Sequence, residues 1–154
     1  MQYSTKVLGV GTTSDYIDWI RRRCPDRALF LTDPAVRQQA LEPGPSPAEE
    51  ILCDLSDYAQ VQQSLQQHLQ REGLRLDGVA SYDCESMELA AVLAQEYTLP
   101  YPSLQAINNC RSKYLSRLLW HNHGLCTQRV RLIRSATDAV CFFCEHGRAC
   151  VFNP

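Results

Sequence analysis

The sequence predicts an α/β fold in which an open parallel sheet is covered by helices on both faces, giving three layers. Two observations support this prediction. Short apolar runs alternate with amphipathic stretches of helical length, which is typical of parallel strands connected by helices. In addition, 45% of the 154 residues are hydrophobic and 21% are charged, a composition close to the globular average, which predicts that the chain folds.

The first predicted unit is a strand, a glycine turn and a helix. The strand covers residues 6–10, and Gly9 and Gly11 lie in the turn. Residues 15–23 then carry apolar side chains at helical spacing. Backbone amides at the start of a helix can approach a ligand at the positive end of the helix dipole. The turn is therefore a candidate site for a carboxylate or a phosphate, although a tight turn without a ligand would have the same sequence.

The alternation continues for about another seventy residues. Strands are expected at residues 28–32, 51–55 and 78–81, and helices at residues 57–72 and 86–97. Asp33 and Pro34 are expected to stop the second strand, and Gly73 is suited to ending the first of these helices. Residues 41–47 contain Pro43, Gly44 and two further prolines, which predicts a loop.

The pattern changes after Pro100 and Pro102. We predict one long helix at residues 109–123, an extended segment at 129–133, a helix that starts with a capping box at Ser135 and ends near 146, and a strand at 149–152. The chain is thus expected to contain a compact domain at residues 1–102 and an incomplete unit at residues 103–154.

Charge and hydropathy exclude two classes of partner. Lys and Arg total 15 against 17 Asp and Glu, without the basic stripe that nucleic-acid binding requires. No apolar run approaches the roughly 20 residues needed to cross a bilayer, and no signal-like stretch opens the chain. We therefore expect a cytoplasmic protein that binds neither nucleic acid nor membranes, with its eight cysteines as thiols.

The cysteines near the end of the chain allow a zinc interpretation. Cys141 and Cys144 have the spacing of a metal knuckle, and His146 and Cys150 lie nearby. A second knuckle is missing, and the first two cysteines lie one helical turn apart in an apolar segment, where free thiols usually are small buried hydrophobes. We predict no metal site and, because no histidine has a partner at a telling spacing, no catalytic residue.

Five motifs follow one another along the chain. They are Asp77-Gly-Val-Ala-Ser-Tyr82, the alanine-rich segment from Glu88, Leu99-Pro100, the segment from Arg111 and Lys113 to Gly124, and Phe152-Asn153-Pro154. Their order and spacing resemble the ATP-grasp superfamily, in particular its biotin-carboxylase-like and amino-acid-ligase branches. That family has an Asp-Gly-Val strand, an alanine-rich helix, a Leu-Pro turn, an Asp-Lys helix ending in glycine and a strand ending in Lys-Pro.

The resemblance implies a Rossmann-like pre-ATP-grasp domain followed by the first elements of an ATP-grasp domain. In the family, ATP phosphorylates a carboxylate to an acylphosphate, which an amine then attacks, and Mg²⁺ bridges the phosphates. The acidic magnesium ligands of family members lie far downstream. The chain is therefore expected to be the N-terminal fragment of an ATP-dependent carboxylate–amine ligase or related carboxylate ligase, inactive alone. ATP and Mg²⁺ would be cofactors of the complete parent, and neither is expected to bind this chain tightly.

The resemblance also implies partners and site residues. Expected partners are a small-molecule carboxylate or amino acid, ATP and the rest of the parent ligase, with a homodimer as a further option. Loops at the carboxyl ends of the first and fourth strands would face the acceptor substrate. These loops contain Gly11, Thr12, Thr13, Tyr82, Asp83 and Glu85. Glu85 is a candidate to hold an amine, but Asp83 and Glu85 could equally favour the start of the following helix.

Two positions match residues that contact the nucleotide in the family. Lys113 matches the lysine that opens the long helix and contacts the phosphates. Asn153 stands where the second phosphate-contacting lysine is usual, and because asparagine brings no charge, ATP affinity should fall or the site should have changed its use. Thr98 in place of glycine and Ser112 in place of aspartate are further departures from the family pattern.

Two other functions fit the same sequence. Gly9 and Gly11 supply two of the three glycines of a dinucleotide-binding turn, and Asp33 ends the second strand where a ribose-binding acid would lie, but Ser14 replaces the third glycine. Alternatively, the domain binds no ligand and packs against another chain, in which case an exposed apolar patch is expected around Val151 and Phe152.

Overall fold

The computed structural model describes residues 4–125 and 128–146. It divides into two compact units between Leu104 and Gln105. The first unit contains strands β1 (Ser4–Val10), β2 (Ala28–Thr32), β3 (Glu50–Leu52) and β4 (Leu74–Ser81), and helices α1 (Ser14–Arg23), α2 (Pro34–Gln38), α3 (Tyr58–Glu72) and α4 (Met87–Glu96). The strands form one parallel sheet in the order β3-β2-β1-β4. The predicted α/β fold with an open parallel sheet is confirmed.

Helices cover both faces of the sheet. Leu8, Leu29 and Leu31 join buried residues of α3 and α4 in one hydrophobic cluster. Phe30 lies between two members of that cluster in β2, so its side chain points to the opposite face. On that face, α1 contacts β2 and buries Ile17. Right-handed crossovers give the same arrangement, because the connections through α1 and through α3 run in opposite directions across the sheet.

Short-range sequence signals set several of the element boundaries. Asp57 begins α3, with its side chain accepting a hydrogen bond from the Gln60 backbone N–H at 3.0 Å, and Gly73 ends that helix at a φ of 63°. Asp33 stops β2 as expected, but its carboxylate also accepts a hydrogen bond from the Ala35 N–H at 2.7 Å. The unpredicted short helix α2 therefore begins directly after this residue.

β1 begins at Ser4, two residues before its predicted start, and the predicted limits of β4 and β3 were wrong by more than that. β4 begins at Leu74, four residues before the predicted start, because it pairs with β1 from Ser4 onward across a register shift between Lys6 and Val7. Its early residues alternate between partly buried and exposed, so they lacked a continuous apolar signal. β3 ends at Leu52, because the cross-strand pairing with β2 does not continue beyond that residue.

The elements described in the second unit are helices. α5 (Leu104–Arg111) begins at the boundary and is followed by α6 (Lys113–Asn122) and α7 (Ala136–His146). The predicted single helix at 109–123 is wrong, because Ser112 adopts an extended conformation and its hydroxyl caps α6 by accepting a hydrogen bond from the Leu115 N–H at 3.2 Å. Residues 129–133 belong to no strand, and the strand predicted at 149–152 lies outside the described residues.

Ser135 begins α7 as the capping motif predicts, since its hydroxyl accepts a hydrogen bond from the Asp138 N–H at 3.1 Å. The described residues of α6 and α7 include no buried side chain. Exposed apolar residues on these two helices are Leu115, Leu118, Leu119, Trp120, Val140 and Phe143. The described parts of α6 and α7 therefore leave apolar surface exposed.

A partly buried ion pair links α2 to β3. Arg37 donates two hydrogen bonds to the carboxylate of Glu50, one of them from Nε at 3.1 Å, and the two side chains are only 15% and 6% exposed. The Thr32 hydroxyl donates to the same carboxylate at 2.7 Å. Such a network costs more to break than a surface pair, because the remaining partner stays desolvated.

Replacing Glu50 with Gln should therefore lower the free energy of unfolding by about 2 to 4 kcal/mol. Denaturant unfolding followed by circular dichroism measures this loss. Glu72→Gln is the matched control, because Glu72 pairs with Arg71 at the surface and its loss should leave the unfolding midpoint unchanged. Equal effects of the two substitutions would contradict the importance of the buried network.

Candidate functional site

The order of the strands places a crevice between β1 and β4. The chain leaves β1 through α1 toward β2 on one side of the sheet, whereas α3 carries it back across to β4 on the other side. Val10 pairs with Ser81, so β1 and β4 end at the same edge. Open parallel sheets bind ligands at the carboxyl ends of strands where the direction of the connections reverses. The two predicted substrate loops directly follow these strand ends, and the structure brings them together.

Gly11 lies against the loop after β4. Its φ of 53° is in the left-handed region, and a Cβ at this position would lie 1.8 Å from the Ser86 Oγ and 2.9 Å from a carboxylate oxygen of Asp83. Its own N–H donates to the Leu31 carbonyl at 3.0 Å. Only glycine fits this combination of conformation and close approach.

Asp83 organises the start of α4. Its carboxylate accepts a hydrogen bond from the Ser86 N–H at 2.6 Å, and its backbone carbonyl accepts one from the Ser81 hydroxyl at 3.0 Å. The sequence left two roles open for Asp83, namely substrate contact and stabilisation of the following helix. The hydrogen bond to Ser86 shows the second of these roles. Glu85, two residues further on, is exposed.

Thr12 is buried in the glycine turn. The residue is 5% exposed, and its Oγ1 has no hydrogen-bond partner among the described residues. A buried hydroxyl without a partner is unusual, because it loses its hydrogen bonds to water without replacement. Thr13 is exposed and occupies the N-cap of α1, where its side chain bonds to Asp15 and lowers the pKa of that carboxyl.

A carboxylate from a distant loop also reaches the start of α1. The Ser14 hydroxyl donates a hydrogen bond to Glu42 at 2.5 Å, and this bond is the main reason why the pKa of Glu42 is lowered. Asp15 opposes that shift, so the two carboxylates lie close enough to interact. The surroundings of this helix start are thus more acidic than the glycine turn suggested, and they favour a ligand with a cationic group.

Sequence reasoning missed Glu42, because it lies 28 residues from Ser14 in a loop rich in proline. It also missed Tyr101. Burial raises the pKa of the Tyr101 hydroxyl, and nearby Asp83 raises it further, while a hydrogen bond with Ser81 acts in the opposite direction. Tyr101 is therefore a neighbour of the crevice, and the two prolines beside it were the only signal for its placement.

Tyr82 forms an aromatic stack with Tyr16 of α1. The ring centroids are 5.6 Å apart and the planes differ by 21°. Both rings remain about half exposed, at 51% for Tyr82 and 49% for Tyr16. The stack thus joins the loop after β4 to the outer side of α1 and presents aromatic surface beside the crevice.

The two predicted nucleotide-contacting residues belong to the other unit of the chain. Lys113 is the first residue of α6 and is exposed. Asn153 lies outside the described residues. Lys113 thus stands at a capped helix start, with Ser112 as the cap where the family pattern has aspartate.

Two of the cysteines considered for zinc binding, Cys141 and Cys144, lie in α7. Cys141 and Cys144 are exposed, so the expectation that they are buried is wrong, and Cys150 lies outside the described residues. No group of three or more His, Cys, Asp or Glu side chains in the described part of the chain could hold a metal ion. Within residues 4–125 and 128–146, no helix is both long and apolar enough to span a bilayer.

Comparison with solved structures finds the same fold in an L-amino acid ligase from Bacillus licheniformis. The match has a TM-score of 0.63 at 19% sequence identity and covers 89% of this chain. The chain spans 35% of the length of that ligase. No family model matches the sequence, and no curated protein does. The resemblance to the amino-acid-ligase branch is therefore confirmed at the level of the fold.

The close approach at the glycine turn gives a prediction about stability. Gly11→Ala should lower the free energy of unfolding by about 3 kcal/mol or more, because the new Cβ would overlap Ser86 in addition to straining the backbone. Gly73→Ala is the control, since Gly73 has a similar φ of 63° but no atom within 4 Å of the new Cβ. Backbone strain alone should cost about 1 to 2 kcal/mol there. Thermal and denaturant unfolding compare the two, and equal losses would contradict the packing described.

Proposed function

We propose that this chain is the N-terminal, substrate-side part of an ATP-dependent carboxylate–amine ligase that proceeds through an acylphosphate, and that it is inactive alone. The observation that carries the proposal is the likeness in fold to an L-amino acid ligase over 89% of the chain. The crevice between β1 and β4 supports it, because that is where an open parallel sheet binds small molecules.

The second unit supports the proposal of a larger parent. α6 and α7 leave leucine, valine and aromatic side chains exposed in the described part of the chain, including Leu118, Trp120 and Phe143. Complete burial of one such side chain stabilises a fold by about 1.5 to 3 kcal/mol. Further ATP-grasp elements packed on these helices would supply that burial, and in doing so would complete the nucleotide site.

Residues of this chain would contribute to both halves of the reaction. Lys113 is exposed at the start of α6, where its ammonium group can neutralise a polyphosphate. Asn153 would donate a hydrogen bond to phosphate without adding charge. In the family that the sequence resembles, the acidic magnesium ligands lie far downstream, so the Mg²⁺ that ATP chemistry requires would be held elsewhere in the parent.

The substrate would be an amino acid or a related small carboxylate with an amine. Thr12 offers a buried hydroxyl that has no partner among the described residues and can bind a carboxylate oxygen. Glu42 lies at the start of α1 and Glu85 is exposed in the loop after β4, and either carboxylate can pair with an ammonium group. Gly11, Thr13 and Tyr82 complete the substrate side of the proposed site.

The hydroxyl of Thr12 provides one test. Thr12→Val keeps the shape of the side chain and removes a hydroxyl for which the described part of the chain provides no partner, so the unfolding midpoint should stay the same or rise. The KM for the amino-acid substrate of the complete enzyme should instead increase about tenfold, as expected for one lost hydrogen bond to a charged group. Thr5→Val, at the exposed start of β1, is the control and should change neither quantity. An unchanged KM in Thr12→Val would remove Thr12 from the site.

Enzymatic activity tests the function itself. The product of the complete reading frame should release inorganic phosphate from ATP only when an amino acid and Mg²⁺ are present, and hydroxylamine should trap the acylphosphate as a hydroxamate. Lys113→Ala should lower kcat/KM for ATP about tenfold or more, because one charge-assisted contact is lost. Lys6→Ala is the matched control, since Lys6 lies in β1 and donates to the Asp26 carbonyl.

Two results would contradict the proposal. The first is that no proteinogenic amino acid supports ATP turnover. The second is that ATP is turned over but hydroxylamine traps no hydroxamate. Thermal stabilisation by NAD(H) would instead support the dinucleotide-binding alternative.

A further inference from the structure

A shallow cavity lies on the outer side of α1, next to the candidate substrate crevice. Its volume is about 350 Å³, and the described residues that line it are Asp15, Tyr16 and Trp19. Asp15 and Trp19 are four residues apart and therefore lie one above the other on the same side of the helix. None of the roles proposed above uses these three side chains.

Two aromatic rings face solvent at this cavity. Trp19 is 56% exposed and Tyr16 is 49% exposed. The stack with Tyr82 holds the Tyr16 ring in place, so the aromatic surface is fixed by contacts within the protein. Rings of this kind attract cations to their faces, because the aromatic quadrupole places negative charge there.

The charge at the cavity is negative. The hydrogen bond with Thr13 lowers the pKa of Asp15, so this carboxyl is ionised at neutral pH. Glu42 adds a second carboxylate close enough to interact with Asp15. Asp18 lies on the next turn of α1 and forms an ion pair with Arg22 at 2.7 Å. The charge of its carboxylate is therefore already balanced within the protein.

The same chain pairs cations with aromatic rings elsewhere. The guanidinium of Arg117 lies 5.4 Å from the centre of the Trp120 ring, and that of Arg131 lies 5.1 Å from the centre of the Phe142 ring. At Arg131, Glu145 also binds the guanidinium, which gives a cation held by one ring and one carboxylate. The cavity on α1 presents a comparable set of rings and carboxylate to solvent.

We propose that Asp15, Tyr16 and Trp19 form a binding site for an organic cation, an alkylammonium or guanidinium group of a small molecule. The cation would lie over the ring faces with Asp15 as its counter-ion. A neutral ligand of the same shape would gain only apolar contact, and an anion would be repelled by Asp15 and Glu42. The inference does not depend on the ligase function, because binding of a cation is measured directly.

Choline and its uncharged carbon isostere 3,3-dimethylbutan-1-ol provide the sharpest comparison. The full chain carries two tryptophans, Trp19 and Trp120, so Trp120→Phe leaves Trp19 as the sole reporter. Choline should change Trp19 fluorescence saturably, with a dissociation constant on the order of 1 to 10 mM, as expected for so small a ligand. The isostere should bind at least about threefold more weakly, because it lacks the cation–π and charge terms.

Variants of α1 separate the charge from the rings. Asp15→Asn should weaken choline binding about threefold to tenfold and leave binding of the isostere unchanged. Asp18→Asn removes a carboxylate from the same helix outside the cavity and should leave both affinities unchanged. Tyr16→Leu should reduce the preference for choline over the isostere, because one of the two rings is lost while Trp19 and Asp15 remain. Circular dichroism establishes that each variant is folded.

Several results would overturn the proposal. Equal affinity for choline and its isostere would show that the cavity selects shape alone. Equal choline affinity in Asp15→Asn and Asp18→Asn would exclude Asp15 as the counter-ion. A fluorescence change that depends on protein concentration and not on choline would show that a second copy of the chain covers the rings.

Discussion

The close contact between the glycine turn and the loop after β4 is the constraint on which the rest of the site depends. Gly11 approaches Ser86 so closely that no side chain can be added, and Ser86 is held in turn by the carboxylate of Asp83. This contact fixes the start of α1 against the start of α4 at the edge where β1 and β4 end. Thr12 directly follows Gly11, and Tyr82 directly precedes Asp83, so both residues lie beside this contact.

The electrostatic character of the site comes from chain folding over long sequence separations. A strand–glycine–helix turn alone suggests an anion site, because the helix dipole is positive at its start. The carboxylate of Glu42 lies at this helix start, where it accepts a hydrogen bond from the Ser14 hydroxyl, and Asp15 adds a second negative charge. A ligand that carries both a carboxylate and a cationic group fits these surroundings better than a polyphosphate does, and amino acids have that combination.

The sequence was sufficient for the architecture, because apolar periodicity and caps are local signals. Asp57 and Gly73 begin and end α3 as their residue types predict. The loops expected to meet at the carboxyl ends of β1 and β4 do lie together, with Gly11 close to Asp83. The sequence was insufficient where the limits of an element, or the position of a side chain, depend on residues elsewhere in the chain. The apolar periodicity continues across Ser112, yet this residue separates α5 from α6 and caps α6. The early part of β4 is defined by its pairing with β1. Glu42 and Tyr101 reached the site through tertiary contacts that no spacing rule contains.

The proposal that the chain is the front part of a carboxylate–amine ligase is tested most directly by reading the coding sequence downstream of the codon for Pro154. The account predicts that the reading frame continues for roughly a domain or more and encodes an acidic pair able to hold magnesium between ATP phosphates. A stop codon directly after Pro154 would contradict the account and leave a binding or packing module with the fold of a ligase domain.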